Sequence, residues 1–404
     1  MSTLPGGAAD KAGLVHEAQE AFECLRRIRV EGARECTLES LLSCVLQATF
    51  TGPPQTALSV LHHFYMTSVH QTLKADGILK HLEKCGVKPR EFAVAAKLQD
   101  FLLGITDSYI AGQRSKLIQA KPIPRQVATD IVTRLTAAEH SLDLLLVGSA
   151  GGGKSACLLQ IVESLRSAGV PVLAFRLDRI EPVSSTEALG KKLDLPESPA
   201  VVLARCFESK PTVLVVDQLD FVSATSGRHP DFFDTLAALV DEVRGLRSFG
   251  RIHLVLACRQ FDFDNDHRFR RLLPKDEKPV SVALLTDLEV KEVIQTSGGD
   301  PARFATRQIE LLRLPQNLAL FTEAGLAQEK APAFVTQKDL FDAYWVAKRS
   351  AVSLQRPNEA AQWNQVIERL TGEMSNKQEL SVPKARMDEF SPELLGAMAS
   401  QSHW

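Results

Sequence analysis

Residues 148–155 read GSAGGGKS and are the strongest indication of the fold of this chain. It matches the pattern GxxxxGK[ST], in which glycines let the backbone curl until successive N–H groups point inward. The apolar run Leu144–Val147 precedes the stretch, and the helical segment ACLLQIVESL follows it. Strand, glycine loop and helix in this order predict an α/β P-loop core whose loop binds phosphates at the positive end of the helix. A chance glycine turn, the alternative, would not bring the strand, the lysine and the serine into register.

This phosphate loop supplies most of the predicted binding residues. We expect Lys154 to reach the β and γ phosphates as a point charge, and the Ser155 hydroxyl to take one position around Mg²⁺. The predicted ligand is ATP or ADP with Mg²⁺, and GTP is the alternative. The expected backbone cradle comprises Gly148, Ser149, Ala150, Gly151, Gly152, Gly153 and Ala156.

A second apolar run, Val213–Val216, ends in Asp217, and α/β sheets place their ligands at the carboxyl ends of such strands. We therefore predict that Asp217 holds Mg²⁺ through water. Gln218 stands where many hydrolytic P-loop ATPases carry a water-activating glutamate, so the expected enzyme is at most a slow ATPase. Asp220 has two interpretations, a catalytic carboxylate or an N-terminal cap on the next segment.

A third run, Leu254–Ala257, is followed by Cys258 and Arg259. A guanidinium at this strand end predicts a γ-phosphate sensor that distinguishes triphosphate from diphosphate. The alternative is a surface arginine paired with one of the nearby carboxylates, namely Asp262, Asp264 or Asp266.

Composition narrows the class of protein. The 404 residues carry a net charge of -2, so no overall basic field would collect nucleic acid. The seven cysteines lack CxxC spacing, which disfavours a disulfide framework. The sequence shows no signal peptide and no apolar run long enough for a membrane span. These features predict a cytoplasmic protein without a membrane partner.

The pattern of apolar residues divides the chain into four parts. We predict a flexible leader at 1–13, a helical domain at 14–112, a nucleotide-binding α/β domain at 113–287, and a helical lid with a partial winged helix at 288–404. Phe341, Tyr344 and Trp345 have helical spacing and are expected to form the lid core. The α/β assignment rests on five short apolar runs separated by amphipathic segments: LDLLLVG, PVLAFRLD, TVLVVDQLD, RIHLVLACR and PVSVALL.

Four segments, taken in their order along the chain, resemble motifs of the STAND branch of P-loop ATPases, which is related to AAA+ and NACHT proteins. IPRQVATDIV (123–132), which contains Ile123 and Arg125, resembles the element that cradles adenine. VLVVDQLD is similar to the acidic strand of the family, and LVLACRQFDFDND to its sensor strand, with Arg259 at the sensor position. LLRLPQNLALF (311–321) resembles the lid motif whose proline, here Pro315, packs near the base.

The resemblance implies a switch in which ADP holds the lid closed and ATP permits oligomerisation and activates an N-terminal effector. It also implies a role in bacterial defence or stress signalling, and an unknown protein partner for the N-terminal helical domain. The family's sensor should follow the lid, whereas this sequence stops in the winged-helix-like segment LSVPKARMDEFSPELLGAMASQSHW. The expectation is therefore a truncated or split member that lacks its sensor region.

Two other functions compete with the switch. A conventional AAA+ ATPase could act on DNA or protein clients, but the basic residues of the last domain are interspersed with acids, so nucleic acid is disfavoured. Alternatively, the protein is an adaptor that nucleotide merely stabilises. The basic residues are Lys348, Arg349, Arg356, Lys384 and Arg386.

Overall fold

A computed structural model describes most of the chain from Pro53 onward. The predicted leader 1–13 and the first predicted helix, LVHEAQEAFECLRRI, lie outside the described residues. The described part forms two compact units. The first contains the described residues up to Ile110 together with Gln126–Val147 and Leu158–Ser281, and the second contains Ala111–Arg125, Gly148–Cys157 and the described residues from Val282 onward. The described residues are 42, 43, 46, 50, 53–67, 75–88, 95–207, 210–247, 250–274, 276–328, 334–355, 360–377, 382, 384–387 and 389–401.

A five-stranded sheet forms the centre of the first unit, and its order is β2-β3-β4-β1-β5. Strand β2 pairs parallel to β3, β3 to β4, and β1 to β5. The first four strands are almost wholly buried because helices cover a parallel sheet on both faces, so their sequences are continuous apolar runs. The strands are β1 (Asp143–Gly148), β2 (Val172–Arg176), β3 (Thr212–Asp217), β4 (Ile252–Arg259) and β5 (Val280–Ser281).

Helices connect these strands. Ser198 caps one of them by accepting a hydrogen bond from the backbone N–H of Val201, and Pro199 occupies its first turn, where no backbone donor is needed. In chain order the helices are α1 (Pro54–Thr67), α2 (Ala75–Lys84), α3 (Ala95–Arg114), α4 (Gln126–Ala137), α5 (Lys154–Ser167), α6 (Thr186–Lys192), α7 (Pro199–Cys206), α8 (Phe233–Leu246) and α9 (Gln260–Asn265).

Helix α3 is attached to the sheet, although the sequence assigns it to the N-terminal helical domain. Leu102 lies in the same core as Leu173 and Leu214 of the strands. The Thr106 hydroxyl donates to the carbonyl of Val172 (2.7 Å) and accepts from the N–H of Ala174 (3.2 Å). Since β2 is an edge strand, this hydroxyl satisfies backbone groups that would otherwise lack a strand partner. Most of helix α3 therefore packs with the strands of the first unit, which includes the chain up to Ile110.

The N-terminal helices have a small core of their own. Its buried residues are Leu46, Phe50, Ala57, Ile78, Leu82 and Val87.

The second unit is helical after Val282 in the part of the chain described. Thr286 and Glu289 form a capping box at the start of its first helix, satisfying two backbone donors. Its helices are α10 (Asp287–Thr296), α11 (Thr306–Leu312), α12 (Pro315–Glu323), α13 (Gln337–Gln355), α14 (Trp363–Lys377) and α15 (Pro392–Gln401). The parallel sheet of the first unit and these helices confirm the predicted fold class, an α/β core with additional helical regions.

One expectation about the lid core is only partly correct. Tyr344 is buried, but Phe341 and Trp345 are 40% and 44% exposed. The core instead gathers residues from α10 to α13, such as Val290, Leu312, Leu318 and Phe321. Within the described residues, no helix is long and apolar enough to cross a membrane.

Candidate functional site

The phosphate loop has the backbone conformation that its glycines predict. Gly151 and Gly153 have φ values of +68° and +87°, a region that L side chains rarely adopt. Gly152 donates its N–H to the carbonyl of Ser149 at 3.1 Å, which closes a tight turn. The chain leaves β1 at Gly148, turns through the loop and enters α5 at Lys154, as the sequence predicts.

The loop is packed against the lid motif within the second unit. The backbone N–H of Gln316 donates to the carbonyl of Gly151 at 3.1 Å. A Cβ added to Gly151 would lie 2.2 Å from Gln316 Oε1, and one added to Gly153 would lie 3.2 Å from Pro315 Cγ. Pro315, the residue predicted to pack near the base, thus contacts the loop itself. Glycine is required here both by the backbone angles and by the lid.

Lys154 lies along the loop that precedes it. Its side chain is buried, and Nζ donates to the carbonyls of Gly148 (3.1 Å) and Ser149 (3.0 Å). These bonds hold the ammonium group at the loop, where a phosphate would offer a stronger, charged acceptor. Ser155 and Ala156, the next residues of α5, are partly exposed.

The segment ahead of α4 also belongs to the second unit. Ile123 packs against the core of the lid helices, and the Arg125 guanidinium donates to the carbonyl of Ala283. Burial raises the pKa of Cys157 to about 11, and the charge of Arg125 only partly opposes this rise. Cys157 is therefore a buried neutral thiol.

At the end of β3, Asp217 is almost fully buried, at 1% exposure. Its Oδ1 accepts the backbone N–H of Gln218 at 2.8 Å, and its Oδ2 accepts the Tyr109 hydroxyl at 3.3 Å. Arg176 is its register partner on β2. Burial acts to lower the pKa of the Arg176 guanidinium, but the hydrogen bonds and charge of Asp178, together with the charge of Asp217, raise it above its usual value.

Gln218, which the sequence predicts to stand at the position of a water-activating glutamate, adopts a left-handed conformation with φ 63° and ψ 45°. Such a backbone costs a residue with a Cβ roughly 1–2 kcal/mol. Non-glycine residues in this state are concentrated at functional sites, where the surrounding structure holds them. The conformation gave no signal in the sequence because glutamine has no preference for it.

Asp220 and Arg259 form an ion pair, with Arg259 Nε 3.0 Å from Asp220 Oδ2. The arginine is 43% exposed, whereas the carboxylate side chain is 9% exposed. Arg259 therefore does not use the partners considered for it in the sequence. Asp266 instead pairs with Arg268, and Asp262 accepts the hydroxyls of Thr225 and Ser226. The turn Leu219–Val222 begins after Gln218, so Asp220 lies inside it and does not cap it.

Three contributors to these sites could not be found in the sequence. Tyr109 and Arg176 have no motif around them, and each lies near Asp217 only because of how α3 and β2 pack on β3. Gln316 contacts the loop through its backbone N–H, a group that every residue but proline carries. Proximity in the fold was the only available signal.

No protein-family model and no curated protein matches the chain. Solved structures do: the Aeropyrum pernix Orc1 protein in complex with DNA is 18% identical, with 61% of this chain and 70% of that chain covered and a TM-score of 0.38. AMPPCP-bound DnaA from Aquifex aeolicus is 14% identical (59% and 71% covered, TM-score 0.34), and the FIGL-1 AAA domain is 16% identical (56% and 82% covered, TM-score 0.34). Because these sequence identities and TM-scores are low, we infer function from the side chains and loops described above and not from these structures.

Proposed function

We propose that this protein is a nucleotide-dependent switch that binds ATP or ADP with Mg²⁺. The observation that carries the proposal is the contact between the phosphate loop and the lid motif, from Gln316 to Gly151 and from Pro315 to Gly153. A loop that binds phosphates and also contacts the lid motif can couple the presence of a γ-phosphate to a change in the position of the lid.

The chemistry of the loop fits a polyphosphate. A side chain at Gly151 would collide with Gln316 and one at Gly152 with Ser149, so both positions require glycine. Bare backbone N–H groups in such a loop can bind a phosphate at close range. Lys154 adds a positive charge at the start of α5, where the helix dipole also favours an anion. We propose that Ile123, Arg125 and Pro315 contact the adenine base of the nucleotide. This assignment rests on the sequence resemblance.

For the metal, the proposal assigns Ser155 and Asp217. A hydroxyl and a carboxylate are oxygen ligands of the kind that Mg²⁺ prefers, and a bound Mg²⁺ would neutralise phosphate charge. A carboxylate oxygen can accept more than one hydrogen bond, so the bonds that Asp217 accepts from Gln218 and Tyr109 are compatible with a role in holding a hydrated metal ion.

Slow hydrolysis suits a switch, since a long-lived triphosphate state allows time for assembly. The amide of Gln218 cannot accept a proton as a glutamate would, and the Asp220 carboxylate is held by Arg259. We propose that the triphosphate state favours a homo-oligomer and that the N-terminal helices contact a further protein.

Light scattering coupled to size exclusion tests this proposal on the full chain with no nucleotide, ADP, ATP or a non-hydrolysable ATP analogue. We expect a higher mass with ATP and the analogue only, and no such change in Lys154→Ala. Rapid constitutive ATP turnover with an unchanged mass in every state would contradict the switch. Nucleotide binding that raises the melting temperature without any change of mass would instead support the adaptor alternative.

A further inference from the structure

We infer that Tyr109 is a positioning residue for the carboxylate of Asp217, an inference that rests on the metal role proposed for that carboxylate. The Tyr109 hydroxyl donates to Asp217 Oδ2 at 3.3 Å. The two residues are 6% and 1% exposed. They are 108 positions apart in the chain, and no sequence motif includes the tyrosine.

Several contacts anchor helix α3, which carries Tyr109. One turn before Tyr109, the Thr106 hydroxyl bridges the carbonyl of Val172 and the N–H of Ala174. Further back, Leu102 lies in the core of the sheet and the Gln99 amide donates to the carbonyl of Cys206 at 2.6 Å. The helix cannot rotate or slide without breaking these contacts, so they fix the position from which the Tyr109 side chain reaches Asp217.

Each carboxylate oxygen of Asp217 accepts a hydrogen bond from a different element. Oδ1 accepts the N–H of Gln218 and Oδ2 accepts the phenol, so the plane of the carboxylate is set by two donors from different elements. A carboxylate oxygen can accept a second hydrogen bond, which is what a metal-bound water would donate. Removing a group that orients a metal ligand in this way typically lowers metal affinity by about 10–100-fold.

Tyr109→Phe removes the hydroxyl and keeps the ring, which makes it the direct test. Ser108→Ala is the matched control, because Ser108 is exposed on the same helix and its hydroxyl only donates back to the carbonyl of Gly104. For both variants and the wild type, a fluorescent ATP analogue is titrated in EDTA and then over a series of Mg²⁺ concentrations. The readouts are the affinity without Mg²⁺, the Mg²⁺ concentration at half-maximal binding, and the melting temperature without nucleotide.

We expect Tyr109→Phe to raise the half-maximal Mg²⁺ concentration roughly tenfold, in the range found when such orienting groups are removed. Its affinity in EDTA should stay within about twofold of the wild type, and Ser108→Ala should match the wild type throughout. An unchanged Mg²⁺ midpoint in Tyr109→Phe overturns the inference, and a lower melting temperature alone would show a purely structural role. If the wild type binds no nucleotide under any condition, the proposed function fails first.

Discussion

The phosphate loop and the carboxyl ends of β3 and β4 are built in opposite ways. The loop is made of backbone: two glycines with positive φ, the carbonyl of Gly151 bonded to the lid, and carbonyls that hold Lys154. The strand ends are made of side chains whose partners lie far away in sequence, as Tyr109 does from Asp217 and Asp220 from Arg259.

The two constructions explain why a sequence motif identifies one kind of site and not the other. A backbone site needs residues with particular conformational freedom in consecutive positions, and these residues form a readable motif. A side-chain site needs partners that only the packing of strands and helices brings together. The two regions should therefore respond differently to substitution, and four experiments measure that difference.

Lys154→Ala should have the largest effect. If Lys154 contacts the phosphates as proposed, loss of its buried charge is expected to weaken nucleotide binding on the order of 1000-fold, or about 4 kcal/mol. Titration with a fluorescent nucleotide measures it, and Lys191→Ala, which removes an exposed lysine, is the control. Equal affinities in the two variants would show that the loop is not the phosphate site.

The second experiment uses the pH dependence of the first unit. His253 of β4 is buried, and its Nδ1 accepts the N–H of Leu142 at 3.2 Å. Burial, aided by the charges of Arg247 and Arg251, lowers the pKa of His253 from 6.5 to about 4. The unfolded chain thus binds a proton that the folded chain does not, so stability is complete above pH 6.5 and falls as the pH is lowered towards 4.

Between pH 7.5 and 5 this single group should reduce the free energy of unfolding by about 2 kcal/mol. In His253→Gln, whose amide oxygen can still accept the bond from Leu142, that part of the pH dependence should disappear. Urea unfolding followed by far-UV circular dichroism gives both values. Identical pH profiles of variant and wild type would assign the dependence to other groups.

The third experiment compares the loss of stability in Gly151→Ala, which has both backbone strain and a clash with the lid, with the loss in a variant that has backbone strain alone. Gly169 serves as the matched control because its φ is also positive, at +76°, but a Cβ there meets nothing within 4 Å. Gly169→Ala should cost about 1 kcal/mol from the backbone alone, and Gly151→Ala about 1 kcal/mol more because the new Cβ displaces Gln316. Thermal unfolding without nucleotide measures both. Equal losses would show that the lid does not constrain the loop.

The smallest effect is expected for the pair Asp220 and Arg259. Because the arginine is 43% exposed, solvent screens the pair, and a double-mutant cycle with Asp220→Asn and Arg259→Ala should give a coupling of about 0.5 kcal/mol. If Arg259 senses the γ-phosphate, Arg259→Ala should also weaken ATP binding more than ADP binding. A coupling above about 2 kcal/mol would mean that the pair is structural and not free to exchange partners.

Much of the fold could be predicted from the sequence. Each of the five apolar runs, from LDLLLVG to PVSVALL, contains a strand. The first four strands are buried because a run without alternation has to be covered on both faces, whereas the two-residue edge strand β5 is not buried. The position of α3 could not be predicted from the sequence, because the helical spacing of the apolar residues around Leu98 and Leu102 does not indicate which hydrophobic core they join. The exposure of Phe341 and Trp345 was missed for the same reason.

The sequence alone predicts the phosphate loop, the strands that precede it and follow it, and the acidic residue at the end of β3. Those features depend on local conformational preferences and on burial, both of which are encoded in consecutive residues. The sequence does not predict that Tyr109 contacts Asp217, that Arg259 pairs with Asp220, or that Gln316 contacts Gly151, because these contacts depend on tertiary packing. Hydrogen bonds and ion pairs act over about 3 Å, and the folded backbone alone sets which distant residues come that close.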